Sequence, residues 1–463
     1  MIGEVRVVLS FTASRGRSPT TSALGRLVGR CRMSASRSRR AALEALSRDE
    51  LIELALRVSP SEMPASGAGS SESTSKPTKR HKEQRPFDMS RYAQRHVALR
   101  VAYIGTAYQG FAYQVETEDT VEGRVLEALM KTRLITDRAS SGVSCGGRTD
   151  KGVSALGQVL ALRVRSNLVD GEGVIAPLHA PPSAARSSPA AADPLVAPQA
   201  AAPPMELDYC HLLNRVLPPD IRVTAWSPTD AQFSARFSAT HRTYKYFFAR
   251  AGLDVERMAE GARRLLGEHD FRNFCKIDPS VTNFRRSVLA AAIQPASGGG
   301  GGEDADSPLE LWEFEVRGTA FLYHQVRCMV AVLFLIGEGK EAPTIVSELL
   351  DTARYPRRPN YEIASEAPLL LHEIGYEDLV WRTSPAALAE VHSLWGGQLQ
   401  EQSLRFAMLR TMHASLEAAH EGPCAAEVDE PARKRGRGAA SHVPLAMRPT
   451  AESVEHRTQG RAQ

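Results

Sequence analysis

The six cysteines of this 463-residue chain (Cys31, Cys145, Cys210, Cys275, Cys328 and Cys424) form no CxxC pair and no CxxC followed by HxxxH. Neither a zinc-binding spacing nor a disulfide framework is therefore present, and a reducing compartment is the natural reading. No GxGxxG follows a strand-like run and no GxxxxGK[ST] occurs, so the two glycine-rich loops that cradle nucleotide cofactors are missing and no cofactor or metal is expected. The longest wholly apolar run, Met329 to Ile336, is far short of the roughly 20 residues that span a bilayer, which excludes a membrane helix on sequence grounds. Acid is nearly absent from the first 40 residues, where nine Arg and many Ser accompany Glu4 alone. Such a stretch cannot close an apolar core. Its composition fits a disordered basic arm and equally an organellar transit peptide, and a second start at Met33 would remove most of it.

What is present is a 43% apolar chain with a formal charge of +4, enough for a sizeable core with appendages. Arg and Lys concentrate in the N-terminal arm, around Asp150 and in two short runs, which suits a polyanionic partner better than the net charge implies. Residues 1–84 read as a basic arm and linker. Within them Ser47-Arg-Asp-Glu50 is a capping box that opens a short helix, and Lys76–Lys82 is a basic run of nuclear-signal type. The folded part is expected as 85–250, with an Ala/Pro-rich insert at about 170–206, and 251–380, with a Gly-rich hairpin insert at about 296–307. Helical segments follow over 381–419, then a disordered basic tail over 420–463 that contains Arg433–Arg437. Nucleus, cytoplasm or both is the expected location, with organellar targeting open.

Periodicity predicts strands at His96–Tyr103, Gly157–Arg165, Ile221–Ser227, Phe237–Phe248, Phe284–Gln294, Glu310–Val316 and Leu369–Gly375. It predicts helices at Val121–Leu134 behind a Thr120 cap, Tyr209–Leu217, Asp254–Gly267, Leu322–Ile336 and Thr344–Thr352. Val121, Val125, Leu126, Leu129 and Met130 share one helix face. The arrangement reads as two α/β parts sharing one sheet.

One stretch carries chemistry on its own terms. Cys145-Gly-Gly-Arg-Thr-Asp-Lys-Gly-Val-Ser154 sets one acid among glycines, at the mouth of an apolar strand. Gly146, Gly147 and Gly152 permit positive φ and close approach of a ligand, and Arg148 and Lys151 flank Asp150 with positive charge, which would keep its carboxylate ionised as nucleophile or base. An ordinary Asp turn with a local ion pair has the same local composition. The wider context separates the two readings.

Gly147-Arg-Thr-Asp-Lys-Gly-Val153, Ala235-Arg-Phe-Ser-Ala-Thr-His-Arg-Thr-Tyr-Lys-Tyr246 and His324-Gln-Val-Arg327 stand in that order. Together they resemble the signature set of the TruA-type tRNA pseudouridine synthases. RPFD (85–88), YQGFAYQ (108–114), LNRVLPPDIR (213–222), HDFRNFCK (269–276) and AFLYHQVRCMVAVLFLIGEG (320–339) resemble the eukaryotic branch that acts on tRNA nucleotides 38 and 39. The likeness runs from about Arg85 to about Gly375. It departs from the family at Ser154, where His is frequent, and in the two inserts.

The resemblance implies an α+β fold of two ferredoxin-like (RRM-like) halves fused into one largely antiparallel sheet, with a central active cleft. It implies uridine isomerisation in the tRNA anticodon stem-loop, without cofactor, by a homodimer to which Leu322–Ile336 and the segments after Asp378 could contribute. Asp150 is then the catalytic acid, attacking base or ribose covalently or removing the ribose 2′-proton. Arg148 matches the arginine that displaces the target base, Tyr244 the tyrosine that packs on the flipped uracil, and Arg327 the cation that pairs with Asp150. Tyr246, two residues from Tyr244 on the same strand face, competes for that place. His324 is assigned to the cleft on the same helix face as Arg327, while Arg236, Arg242, Lys245 and Lys151 suit substrate contacts. A catalytically silent tRNA-binding or RNA-folding protein on the same fold is the alternative. The intact Asp150, Tyr244 and Arg327 speak against it.

Overall fold

The structure, a computed structural model, describes residues 87–177, 205–296, 310–421 and 442–451. The basic arm with its capping box, most of the Ala/Pro insert, the Gly run and Arg433–Arg437 lie outside the described residues.

The fold is mixed α+β around one large, mostly antiparallel sheet. The strands are β1 (Ala93–Tyr103), β2 (Ser144–Cys145), β3 (Ser154–Ser166), β4 (Val174–Ile175), β5 (Ile221–Pro228), β6 (His241–Ala249), β7 (Gly267–Asp270), β8 (Arg285–Pro295), β9 (Leu311–Gly318) and β10 (Leu369–Gly375). The helices are α1 (Val121–Lys131), α2 (Tyr209–Asn214), α3 (Val255–Arg263), α4 (Gln325–Gly337), α5 (Ile345–Leu350) and α6 (Pro385–Glu421). The sheet runs β4-β1-β3-β10-β6-β9-β8-β7, with β5 also on β1 and β2 also on β3. Every pairing is antiparallel except β10 with β3, which meet in parallel over Ser154–Leu370 and Ala155–Leu371.

Two apolar cores lie to either side of that seam. One gathers Leu99, Phe111, Leu129, Leu160, Tyr209 and Leu213, and the other Phe248, Phe271, Phe274, Phe314, Met329 and Leu333. β10 supplies both, Leu371 and Ile374 to the first and Leu369 to the second, and Tyr244 of β6 packs against both. α4 is apolar apart from Gln325 and Arg327 and is largely buried within the chain, with Phe334 and Leu335 half-buried.

Element boundaries moved for local reasons. α1 starts as expected, with the Thr120 hydroxyl accepting from the Gly123 amide at 3.2 Å, but stops at Lys131, where Arg133 turns to φ 56° and leaves Met130 43% exposed. α3 ends at Arg263, and Gly267, at φ +104°, opens the edge strand β7, which its polar Gly-Glu-His-Asp sequence concealed. β6 pairs with β9 and β10, so the second part of the sheet begins at His241 and not after residue 250. The insert is narrower than expected: Val174–Ile175 pairs with β1, and Glu206 forms a buried ion pair with Arg95 at 2.9 Å. The tail reading fails at 442–451, which docks on the second core with Leu445 wholly buried. No helix among the described residues is long and apolar enough to cross a membrane.

The seam rests on a glycine. A Cβ at Gly157 of β3 would sit 2.6 Å from the His372 carbonyl oxygen and 2.9 Å from the Glu373 Cα, both backbone atoms of β10 that cannot swing aside. Forcing such contacts typically costs about 1–3 kcal/mol. Gly157→Ala should therefore lower the melting temperature by about 2 °C or more, while Leu156→Ala, at a 43% exposed neighbour, leaves it unchanged. Thermal denaturation of the two variants side by side checks this.

Candidate active site

Asp150 stands on a loop that the surrounding chain holds at almost every residue. Gly146 donates its amide to the Val159 carbonyl at 2.8 Å. The buried Gln158 side chain brackets Gly147, accepting its N–H at 3.0 Å and donating to its carbonyl at 2.8 Å. The Thr149 hydroxyl meets the Tyr103 hydroxyl at 2.7 Å, and its carbonyl accepts the Phe111 amide at 3.1 Å. Gly152, at φ +78°, donates to the Tyr108 carbonyl at 3.2 Å, which is a turn a side chain would strain. The YQGFAYQ stretch is thus the bed on which the acid loop lies. A loop so bonded presents one carboxylate direction rather than an ensemble.

The carboxylate opens into a cleft of about 880 Å³ whose walls include Arg148, Arg236, Arg242, Tyr244, His324 and Arg327 as well as Asp150. Six of the residues proposed from sequence beside Asp150 thus converge on one space. Lys151 and Lys245 do not. Lys151 is exposed beside the loop, and Lys245 points the other way along β6, held by Glu313 at 2.7 Å and Glu315 at 3.3 Å. Alternation along the strand, which turns Tyr244 inward, turns Lys245 out.

Electrostatics at the centre differ from the expectation. Burial pushes the Asp150 carboxyl up to about 6, the Arg327 charge opposes the rise and the Glu366 charge adds to it. Desolvation therefore outweighs the cationic neighbours that were expected to hold the acid fully ionised. Arg327 reaches Asp150 through space only. Its own hydrogen bonds go to the Ala364 carbonyl (2.7 Å, from Nε) and to Glu366 (2.8 Å, from Nη2), so the direct Arg327–Asp150 pair read from sequence is replaced by an Arg327–Glu366 pair. Arg148 is exposed and forms no ion pair with Asp150, its guanidinium lying beside the Cys145 thiol.

Tyr244 crosses Phe321 edge-on at 5.2 Å, and burial followed by the Asp150 charge pushes its phenol up to about 12. It is therefore a neutral donor in the cleft. Tyr246 lies deeper, 3% exposed and outside the residues that line the cleft. His324 is not on the helix face of Arg327. It caps α4 in the left-handed conformation at φ 60°, with Nε2 3.5 Å from the Asp150 carboxylate and the ring against Tyr323. Burial and then Arg327 drive the imidazole down to about 4, so it is neutral near pH 7 and the contact is no ion pair. A non-glycine residue at φ > 0 beside the acid is strain kept at a working site.

Arg242 is a clamp rather than a free phosphate contact. Its guanidinium donates to the Gly146 carbonyl at 3.0 Å, the Thr319 carbonyl at 2.7 Å and the Arg236 carbonyl at 2.8 Å, tying the acid loop to β6 and β9. Arg236 remains exposed and lies over Phe237, an 81% exposed aromatic at the cleft lip. Sequence reasoning missed Phe237, Gln158 and Glu366. Gln158 had a signal, as the lone amide inside an apolar strand. Glu366 had none, because nothing in its aperiodic segment marks it as the partner of a helix cation.

The profile of the tRNA pseudouridine synthase family matches residues 262–377. Over 335 residues the chain is 44% identical to the human tRNA pseudouridine(38/39) synthase, covering 71% of this chain and 66% of that protein. It is 42% identical over 348 residues to the bovine protein of the same name, covering 74% and 69%. With the archaeal tRNA pseudouridine synthase A of Methanothrix thermoacetophila it shares 29% identity over 286 residues, covering 62% and 85%. The chain thus spans about two thirds of the length of its eukaryotic relatives. At 42% identity over more than two thirds of both chains, the chain belongs to the tRNA pseudouridine synthase family.

Proposed function

We propose that the protein isomerises uridine to pseudouridine in tRNA, at nucleotides 38 and 39 of the anticodon stem-loop. The carrying observation is the half-buried Asp150 carboxylate, held on a rigid loop and facing Tyr244 across the cleft. The reaction breaks the N1–C1′ bond, turns the base, forms C5–C1′ and moves a proton from C5 to N1, so it is redox-neutral and consumes no co-reactant. Asp150 in its ionised form acts on the base or the ribose. Arg148 occupies the place that the flipped base leaves, at a cost of a few kcal/mol that its stacking and hydrogen bonds offset. Tyr244 packs on the uracil and donates its hydroxyl. Arg236 with Phe237 at the lip suits phosphate and stacking contacts.

The strand orders β5-β1-β3-β2 and β10-β6-β9-β8 are the same order repeated, which supports two ferredoxin-like halves. A homodimer is part of the same reading. α6 extends for about 55 Å with Leu404, Met408, Met412 and Leu416 exposed at four-residue spacing, a surface that a second subunit would cover. Nuclear or cytoplasmic action is supported by the basic runs at 76–82 and 433–437.

Two outcomes test this. Asp150→Asn should abolish pseudouridine formation while tRNA affinity stays within a few-fold, because phosphate contacts dominate binding. It should also stabilise the fold near pH 7.5. A carboxyl whose folded pKa is raised from 3.8 to about 6 destabilises the native state as pH climbs through that range, and the neutral amide avoids this. With the side chain 23% exposed, the gain is about 1–2 kcal/mol, shrinking toward pH 4. Nucleotide-resolution mapping and melting curves at several pH values read both. A variant that loses activity, binding and stability together would mark Asp150 as a folding residue. The second test compares substrates: a dimer should turn over whole tRNA far better than an isolated anticodon stem-loop, since no base-reading module is evident and shape must specify the site. Equal turnover of the two by a monomer contradicts the account.

A further inference from the structure

Glu366 and the segment 442–451 have no place in the chemistry so far, yet a chain of bonds joins them to Arg327, the cation whose charge Asp150 feels. The segment enters through Glu341, an acid 8% exposed that accepts the Leu445 amide at 2.6 Å and meets His442 Nε2 at 3.0 Å. Leu445 fills the second core with no exposure. Beyond it the segment runs along the chain at 358–360. Asn360 donates to the Pro449 carbonyl at 2.9 Å, Ala451 donates to the Arg358 carbonyl at 2.8 Å, and Arg448 reaches the Asn360 carbonyl at 3.3 Å.

The loop so held is the one that engages the active-site cation. Arg358 bonds the Tyr361 carbonyl at 2.9 Å, and the Tyr361 hydroxyl bonds the Asn273 carbonyl at 2.7 Å, which fixes the loop to the second core. Ala364 exchanges two hydrogen bonds with Arg327: its amide donates to the Arg327 carbonyl at 3.3 Å, and its carbonyl accepts Nε at 2.7 Å. Glu366 then takes Nη2. It also packs on the acid loop itself, because a Cβ at Gly152 would lie 3.0 Å from its Cγ.

Building on the catalytic reading of Asp150, we propose that the strap His442–Ala451 and Glu366 are positioning elements: the strap fixes the loop Arg358–Glu366, and Glu366 holds Arg327 away from Asp150. The arrangement opposes a simple Asp150–Arg327 pair, in which the cation would tie up the carboxylate that must meet the substrate. With the guanidinium committed to Glu366 and Ala364, the Asp150 oxygens stay open to the cleft while still feeling the positive charge. The titratable groups around Asp150 are Arg327 on α4, His324 at its cap, Glu366 on the strapped loop and Tyr244 on β6. Of these, His324 and Tyr244 are neutral near pH 7, so after burial, the largest cause, it is the opposed charges of Arg327 and Glu366 that act on the acid.

The test needs a readout that a merely structural role would not move, and one that does not depend on turnover. In the full-length protein, the pH at which the stabilisation by Asp150→Asn levels off reports the ionisation of folded Asp150 directly, since its onset is set by the unfolded chain. In a Glu366→Gln background Arg327 loses its charged partner and turns to Asp150, so this pH should fall by about half a unit or more, and the acid limb of kcat/KM should fall with it. kcat should drop several-fold with KM for tRNA unchanged, and Glu366→Asp should restore part of both. Truncation after residue 441 should move the acid limb in the same direction, as should Arg448→Ala, a milder variant with the whole strap present. If Glu366→Gln leaves both pH midpoints in place, the pair is an ordinary ion pair and the proposal fails. If truncation and Arg448→Ala lower the melting temperature with the limb unmoved, the strap only braces the fold, and its part of the proposal fails. An unmoved activity profile together with a shifted stability midpoint would uphold the positioning and instead count against Asp150 as the catalytic acid.

Discussion

A carboxylate kept out of water without a direct cationic partner is the constraint on which the rest of this structure depends. Alone, such a group would simply take up a proton. Here the penalty is partial, because Arg327 contributes its field without contact and Glu366 offsets some of that field. The result is an acid that titrates just below neutrality, ionised for most of the time yet less solvated than a surface aspartate. Holding such a balance requires fixed distances. That is why the loop around Asp150 is bonded at Gly146, Gly147, Thr149 and Gly152, and why Arg242 is spent on three backbone carbonyls instead of on substrate.

The fold supplies those distances from two cores that meet in one sheet. β3 brings the acid loop to the seam, β6 brings Tyr244 and the start of α4 brings His324 and Arg327. None of these elements could place the group alone. The seam itself is narrow, two residue pairs of parallel strand, so its geometry relies on the packing of Leu369, Leu371 and Ile374 into the cores on each side.

Most of this arrangement was legible in the sequence where local patterns decide it. The apolar run of β3, the Thr120 cap of α1 and the mostly apolar α4 carry their own signals, and the order of motifs brought Asp150, Arg148, Tyr244 and Arg327 together before any coordinates. What was not legible depends on contacts between distant segments. A positive φ at His324 begins α4 three residues late and takes the imidazole off the helix face, which no residue type other than glycine announces. Lys245 sits beside Tyr244 in sequence, but the acids that claim it are on β9. Arg327 was read as the partner of Asp150 because both are charged and both belong to the site. The competing acid, Glu366, comes from an aperiodic stretch, and the strap that fixes it looked like tail.

The strand that closes the seam is also the last strand of the sheet in chain order. Ser154 and Leu370, which pair across it, are separated by more than half of the described residues. Contacts between such remote partners carry a large loop-closure cost and form late. During synthesis the acid loop can therefore bond to β3 and to YQGFAYQ while the first core still lacks Leu371 and Ile374 and the facing wall does not yet exist. The enzyme acquires its working cleft only when β10 slides between β3 and β6. A chain emerging from synthesis therefore holds Asp150 in the open, short of the wall that carries Tyr244 and Arg327, until the sheet is whole.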